Sequence, residues 1–289
     1  MREPIKNRYD FVFLFDVKDG NPNGDPDQIN LPRADAEDQH GLVTDVCIKR
    51  KVRNYVMLER ELKTPYDIFI RQEQILNKII DSAEGKNITQ RQDSLCENYF
   101  DIRTFGAVLS TGDKGAGTIR GPVQFTFSRS EDRIYQAEHS ITRCAVTTEE
   151  DAKKQEKREF ASTFGRKSTV PYALYRMHGF ISAIDAKKTK FSEDDLKLLW
   201  KSLINAFEND RAAARGEMNP IKLVIFKHDS HLGNELSGRL FDRVTVKKNS
   251  ALPRGKEDYT ITVNKDNLPS DDKKKPLIEI KEWPEEKIF

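Results

Sequence analysis

The stretch Tyr9 to Val17, YDFVFLFDV, constrains the fold more than any other part of the chain. It is aromatic and β-branched and almost continuously apolar, which fits a central strand buried on both faces. Two further runs fit long strands: 175–184 and 221–226. Between the first two, Thr44-Asp45 offers an N-cap to a helix over 46–63. In that helix Ile48, Val52 and Tyr55 share one face, while Lys49 and Arg53, four apart, share another. Pro65 ends it. Ser192 with Asp195 resembles a capping box, and behind it Leu196, Leu199, Trp200, Leu203 and Phe207 form the clearest amphipathic stripe in the chain.

Shorter elements fill the gaps. Tyr66 to Ile70 reads as a short strand, Gln72 to Ala83 as a helix, and Leu95 to Phe100 as helical. Val123, Phe125 and Phe127 alternate with polar residues, as in a half-buried strand. The segment 149–168, EEDAKKQEKREFASTFGRKS, is charged and poor in core residues, so we expect an exposed hairpin or lid. Val244 to Val246 and Thr260 to Val263 read as strands, and Pro269 to Pro276 as a charged linker. No repeat at solenoid spacing is present. The skeleton is strand, helix, strand, twice over, with large insertions: an α+β, ferredoxin-like or RRM-like unit.

Of the 289 residues 37% are apolar and 33% charged, a lean core and a rich surface that suit long insertions or burial against partners. Lys plus Arg number 49 and Asp plus Glu 47, so bulk charge does not announce a nucleic-acid binder and local clustering must carry such a claim. Cys47, Cys96 and Cys144 have neither metal nor redox spacing, and their odd number argues against a disulfide framework. The first residues, MREPIKNRYD, lack the apolar stretch of a signal peptide. No apolar run approaches the roughly 20 residues that span a bilayer. The expectation is a cytoplasmic protein with no membrane partner, in which the sequon at Asn87 carries no meaning.

The loop after the first strand, DGNPNGDPD, allows three readings. Asp19, Asn21, Asn23 and Gly24 match the first half of a calcium loop, but Asn30 stands where a bidentate Glu belongs and two prolines remove amide donors. Asp25 and Asp27 could hold Mg²⁺ for cleavage; Arg33 is the only basic clamp nearby. Asn-Pro, Asn-Gly and Asp-Pro are all turn dipeptides, which favours a rigid turn able to contact a ligand through Asn and backbone groups. Elsewhere, STGDKGAGT at 110–118 is neither a Walker A loop nor a dinucleotide fingerprint. His228, Asp229 and His231 lack a further ligand at helical spacing. His139 and His178 are isolated, and no Ser or Cys sits in a nucleophile elbow.

The cations are more informative. Lys49, Arg50, Lys51 and Arg53 crowd one helix, and no Asp or Glu occurs from Val46 to Leu58, so these side chains lack local partners. TFGRKS at 163–168 joins Phe164, Arg166 and Lys167 on a glycine hinge, a segment able to stack on a base and grip a phosphate. Arg103, Arg120 and Arg143 lie beside β or glycine-rich stretches. Together they suggest dispersed backbone contacts that bind nucleic acid without reading its sequence.

NPNGDPD, LPRAD and GLVTDVCIKRKVR, followed in order by FDIRTFGAV, IRGPVQFTFS, FGRKSTVPYALYRMHGF, DRAAARGEM and KLVIFKH, resemble the backbone subunit of CRISPR Cascade complexes in the RAMP superfamily, specifically its type I-C-like branch. The resemblance covers most of Tyr9 to His228 and, more loosely, the chain to about Val246. It implies an RRM-like palm (about 9–62, 120–130 and 171–246), a finger-like insertion at 63–119, a thumb-like insertion at 145–170 and an extension at 247–289. It further implies copies stacked head to tail along one crRNA, beside a crRNA-processing subunit and a large subunit, with target DNA pairing to the exposed guide. No cofactor and no catalysis by this subunit are implied. The RNA contacts carried over are Arg33, Thr44, Val46, Lys49 and Arg53, with Phe164, Arg166 and Lys167 on the thumb. Related backbone subunits of type III complexes cleave RNA with an aspartate after the first strand, which keeps a metal-dependent ribonuclease using Asp25 or Asp27 as the alternative.

Overall fold

The computed structural model describes residues 2–112, 114–142, 145–146, 148–156 and 164–288. A mixed α/β chain is built around one antiparallel sheet. Its centre is β1 (Tyr9–Gly20), in which Tyr9 to Val17 are all buried, as the apolar run predicts. After it come helix α1 (Asp45–Arg60), β2 (Val123–Phe125), β3 (Ser128–Arg133), the long β4 (Phe164–Ile181), helix α2 (Glu193–Ile204), β5 (Glu217–His228) and β6 (Ile278–Trp283). β1 lies between β4 and β5, antiparallel to both, with Phe13 opposite Met177 on one side and Leu223 on the other. β2 and β3 pair with β4, His40–Val43 adds an edge beside β3, and β6 adds the opposite edge beside β5.

Strand alternation sorts β1 into two layers. Phe11, Phe13, Phe15 and Val17 face α1 and α2, joining Ile48, Val52, Val56, Leu199, Trp200, Leu203 and Phe207 in the main core. Phe11 meets Trp200 edge to face at a centroid distance of 5.0 Å. A Cβ at Gly179, across the ladder on β4, would lie 2.0 Å from Phe11 Cζ, so only glycine leaves room for that ring. Val12 and Leu14 face the other way, into a core with Leu240, Phe241, Val244, Tyr259 and Ile278. The sheet is therefore covered on both sides, the second cover coming from the hairpin of Val244–Lys248 with Tyr259–Val263 and its neighbours. A third cluster of Phe69, Ile79, Ile80, Leu95, Ile102, Leu109 and Ile119 gives the segment after α1 a small core of its own.

Both predicted caps form. Thr44 Oγ1 accepts from the Cys47 amide at 3.3 Å, and Ser192 and Asp195 complete a capping box at the start of α2. Tyr66 to Ile70 does not form the expected strand. Asp67 makes one bridge to Tyr99, and the amides of Phe69 and Ile70 donate to the Asp101 carboxylate rather than to a strand partner. The helix expected over 72–83 is shorter, Leu76–Ser82, and the expected 95–100 helix is the junction of two, Ile88–Asn98 and Phe100–Phe105. β2 stops at Phe125, which leaves Phe127 half exposed. The charged segment 149–168 opens as the helix Glu149–Glu156 and closes as the first residues of β4.

Candidate nucleic-acid interface

A groove of about 980 Å³ runs along the N-terminal half of α1. Its wall contains Asn23, Arg33, Thr44, Val46, Lys49, Arg50 and Arg53, all predicted from sequence, together with Asn54, Met57, Arg71, Gln72 and Phe105. A smaller cleft of about 300 Å³ shares Asn23, Cys47, Arg50 and Asn54 with it and adds Asn21 and Arg215. The main groove is lined by five cations, Arg33, Lys49, Arg50, Arg53 and Arg71, and by no carboxylate.

The expectation that the α1 cations lack partners is wrong: Asp45, one residue before the acid-free stretch, pairs with Lys49 on the same helix, and the other partners come from distant segments. Lys49 Nζ is 2.9 Å from Asp45 Oδ2, Lys51 pairs with Asp210, and Arg53 Nε donates to Asp101 Oδ2 at 2.7 Å. Arg215 Nε meets the same Asp210 at 2.9 Å. Among the described residues Arg50 has no ion-pair partner, and it is exposed. None of these carboxylates lines the main groove, and each holds a cation of α1. The Phe105 ring lies under two of them, 5.5 Å from Lys49 Nζ and 5.4 Å from the Arg53 guanidinium. Val46, at 62% exposure, and Ile70, at 48%, add apolar surface to the rim.

The acidic loop is a turn that braces this groove. Asn23 Oδ1 accepts from Thr44, Asn21 Nδ2 donates to the Asn30 carbonyl at 2.7 Å, and Asn21 is buried. Asn21 therefore secures the loop rather than offering its amide to a ligand. Asp25 caps the turn Pro26–Gln28 by accepting from the Asp27 amide at 3.2 Å, and lies 3.5 Å from Arg33 Nη1. Asp27 is exposed. Among the described residues no group of three His, Cys, Asp or Glu is spaced to hold a metal ion. Both ring nitrogens of His228 are taken, by Asp10 at 2.7 Å and by the Asn234 amide at 2.8 Å. Burial pushes the Cys96 thiol up to about 12. In the 110–118 loop the Lys114 amide donates to Asp81.

A family model for CRISPR-associated protein Cas7 matches residues 7–264 of the chain. The chain belongs to the Cas7 family. A curated relative, CRISPR-associated protein Cas7 of Haloferax volcanii, is 23% identical over 230 residues, 69% of this chain; the match spans 65% of that relative's length. Among solved structures, a chain of a CRISPR RNA-guided surveillance complex, pre-nicking, superposes with a TM-score of 0.51 at 12% identity, over 76% of this chain and 78% of that one. That likeness is one of fold.

In this Cas7-family chain the remaining predicted residues scatter. Arg103 is a correction: it is fully buried, held by Asp195 through Nη2 at 2.7 Å and Nε at 3.1 Å and by the carbonyls of Cys96 and Pro65. It holds the fold together and reaches no groove. Arg120 is exposed, 3.5 Å from Asp185. Arg143 and the side chain of Phe164 lie outside the described residues. Arg166 and Lys167 stand on the first third of β4, which runs past the sheet as a two-stranded ribbon with Ala137–Thr142. No helix among the described residues is long and apolar enough to cross a membrane. Sequence reasoning missed Asn54 and Met57, although they follow Arg50 and Arg53 at helical spacing. It also missed Arg71, which no local pattern links to α1.

Proposed function

We propose that this chain is a non-catalytic backbone subunit of a CRISPR RNA-guided surveillance complex. It oligomerises along crRNA, binds the sugar-phosphate backbone and presents the guide to target DNA. The observation that carries this reading is the α1 groove, whose wall holds five cations and no carboxylate. Such a wall suits a phosphate chain, and its apolar residues Val46, Met57, Ile70 and Phe105 suit riboses and base faces without reading sequence.

The sheet supports an RRM-like palm. β5, β1, β4 and the β2–β3 pair stand in that order, with α1 and α2 on one face. RRM modules stack bases on the open face of such a sheet. Here that face is covered by Leu240, Phe241, Val244, Tyr259 and Ile278, so RNA is assigned to the helix side instead. The segment 63–119, with its own core, is read as the finger. The insertion 145–170 is read as the thumb, whose Arg166 and Lys167, on the ribbon with Ala137–Thr142, close over the RNA. Residues 247–289 form the extension. We place the chain in the type I-C-like branch, as a cytoplasmic component beside a crRNA-processing and a large subunit. Copies join through a heterologous interface that does not close, which gives a filament.

The test is to purify the chain from a host that expresses its guide RNA, then measure the ratio of absorbance at 260 and 280 nm and the length of the protected RNA. Protected lengths that step by a fixed increment per copy are expected. Protein free of nucleic acid would sink the reading in favour of a plain interaction domain.

A further inference from the structure

We infer that Asp101, which does not line the groove, is the positioning residue that sets the groove's phosphate grip; the inference rests on the RNA-binding reading above. Its carboxylate is buried at 1% exposure. One oxygen, Oδ2, accepts from Arg53 Nε at 2.7 Å and from the Ile70 amide at 3.0 Å; the other accepts from the Phe69 amide at 2.8 Å. One anion therefore ties a cation of α1 to the segment that carries Arg71, the cation on the facing rim. Arg71 is itself 3.2 Å from Asp67.

The geometry leaves Arg53 ready for a second anion. Nε is spent on Asp101, and the guanidinium lies over the Phe105 ring at 5.4 Å, so two contacts fix its plane. Its terminal nitrogens make no hydrogen bond to a described residue, and Arg53 lines the groove. A guanidinium held at one edge by a carboxylate can offer its remaining N–H groups to a phosphate. Lysine keeps the charge and three donors but lacks the planar fork, so a carboxylate on one side does not fix where its other donors point. Because Asp101 also fixes Phe69 and Ile70, it governs how far Arg53 stands from Arg71, and so the pair of phosphates that the two can hold at once.

The test is binding of the full chain to a single-stranded RNA of arbitrary sequence, followed by anisotropy across a KCl series. The slope of log affinity against log salt counts neutralised phosphates, about 0.7 for each on a single strand. Arg53→Gln is expected to lower that slope by about one phosphate's worth, and Asp101→Asn by at least as much. The double variant is expected to fall short of the product of the single effects by about twofold or more, the mark of coupled residues. A variant that merely lost folded fraction would bind less with an unaltered slope. If Asp101→Asn does not fold, Arg53→Lys decides: with folded fraction matched by circular dichroism, it should keep most of the slope because the charge is kept, yet bind several-fold more weakly at every salt, and wild-type affinity overturns the proposal. Wild-type slope in a folded Asp101→Asn, with Lys49→Gln and Arg50→Gln still weakening binding, removes the positioning role alone. No effect from any of these variants removes the RNA reading itself.

Discussion

Asn23 and Thr44 are joined at a single atom: Asn23 Oδ1 accepts both the amide and the hydroxyl of Thr44, each at 3.0 Å. Thr44 in turn caps α1 through the Cys47 amide. The turn after β1 and the N-cap of α1 are thus tied to each other. Asn23→Ala removes both bonds and leaves the Thr44 amide unpaired. It should cost about 1–2 kcal/mol and weaken RNA retention, because the helix start loses its tie to the loop. Thermal unfolding and RNA yield from the same preparations check this; a lowered melting temperature with full RNA yield would show that the loop serves only the fold.

Arg103 makes the opposite case. Its pair with Asp195 is fully buried, and the Asp195 carboxylate also serves the capping box of α2. Arg103→Met leaves that carboxylate short of its main partner, for which about 3–5 kcal/mol of destabilisation is expected. Denaturant titration should show the loss, and the variant that remains folded should keep the wild-type salt slope for RNA. A changed slope would return Arg103 to the list of phosphate contacts.

These two residues show what was legible in the sequence and why. Part of the groove along α1 could be read because helical periodicity puts Val46, Lys49, Arg50 and Arg53 on one side, and a capping Thr marks where the helix begins. The two-sided burial of β1 could be read from nine contiguous letters. Partners could not. Asp101 lies 48 residues from Arg53, and Asp195 lies 92 from Arg103. A local window therefore counted both arginines as free cations, when both are buried and held by distant carboxylates, Arg103 inside the fold and Arg53 at the groove wall. The missing strand at 66–70 has the same cause, since Asp101 takes the amides that a strand neighbour would have used.

Charge reversal should act differently at two positions on α1. Arg50 is exposed, so Arg50→Glu should leave the melting temperature within about 2 °C and still weaken RNA binding. Arg53→Glu places a carboxylate against Asp101 and should unfold the protein as well as release RNA. Loss of binding should be equal on guides of unrelated sequence, measured as retained RNA per subunit. Any guide-dependent difference would contradict a backbone scaffold.

The pH dependence of stability should carry the signature of His178. Burial, with Arg176 beside it, pushes this imidazole down to about 4. Its Nε2 accepts from Arg176 Nε at 3.0 Å, so the neutral ring carries its proton on Nδ1, and the ring stacks on Phe241 at 4.1 Å. Between the unfolded value near 6.5 and about 4 the unfolded chain binds more protons than the folded one, so stability should fall as pH drops through that window. His178→Gln should flatten this part of the curve, read as the unfolding midpoint from pH 7 to 4 relative to wild type. An equally steep curve in the variant would assign the effect to other groups.

The aspartates of the first loop supply the sharpest division between scaffold and nuclease. Asp25 is committed to capping a turn and to Arg33 Nη1, while the Arg33 Nε is buried without a hydrogen-bond partner among the described residues. A phosphate that reached this site could take up that unmet donor, in competition with Asp25 for the guanidinium. On the scaffold reading Asp25→Asn frees Arg33, so RNA affinity should rise or stay level, and complementary RNA incubated with Mg²⁺ should remain uncut in both forms. On the nuclease reading wild-type complexes cut that RNA, and Asp25→Asn or Asp27→Asn abolishes cleavage while binding persists. Gel analysis of the same samples reports both quantities. Cleavage lost with either substitution would replace the brace with a catalytic carboxylate and reverse the assignment of the loop.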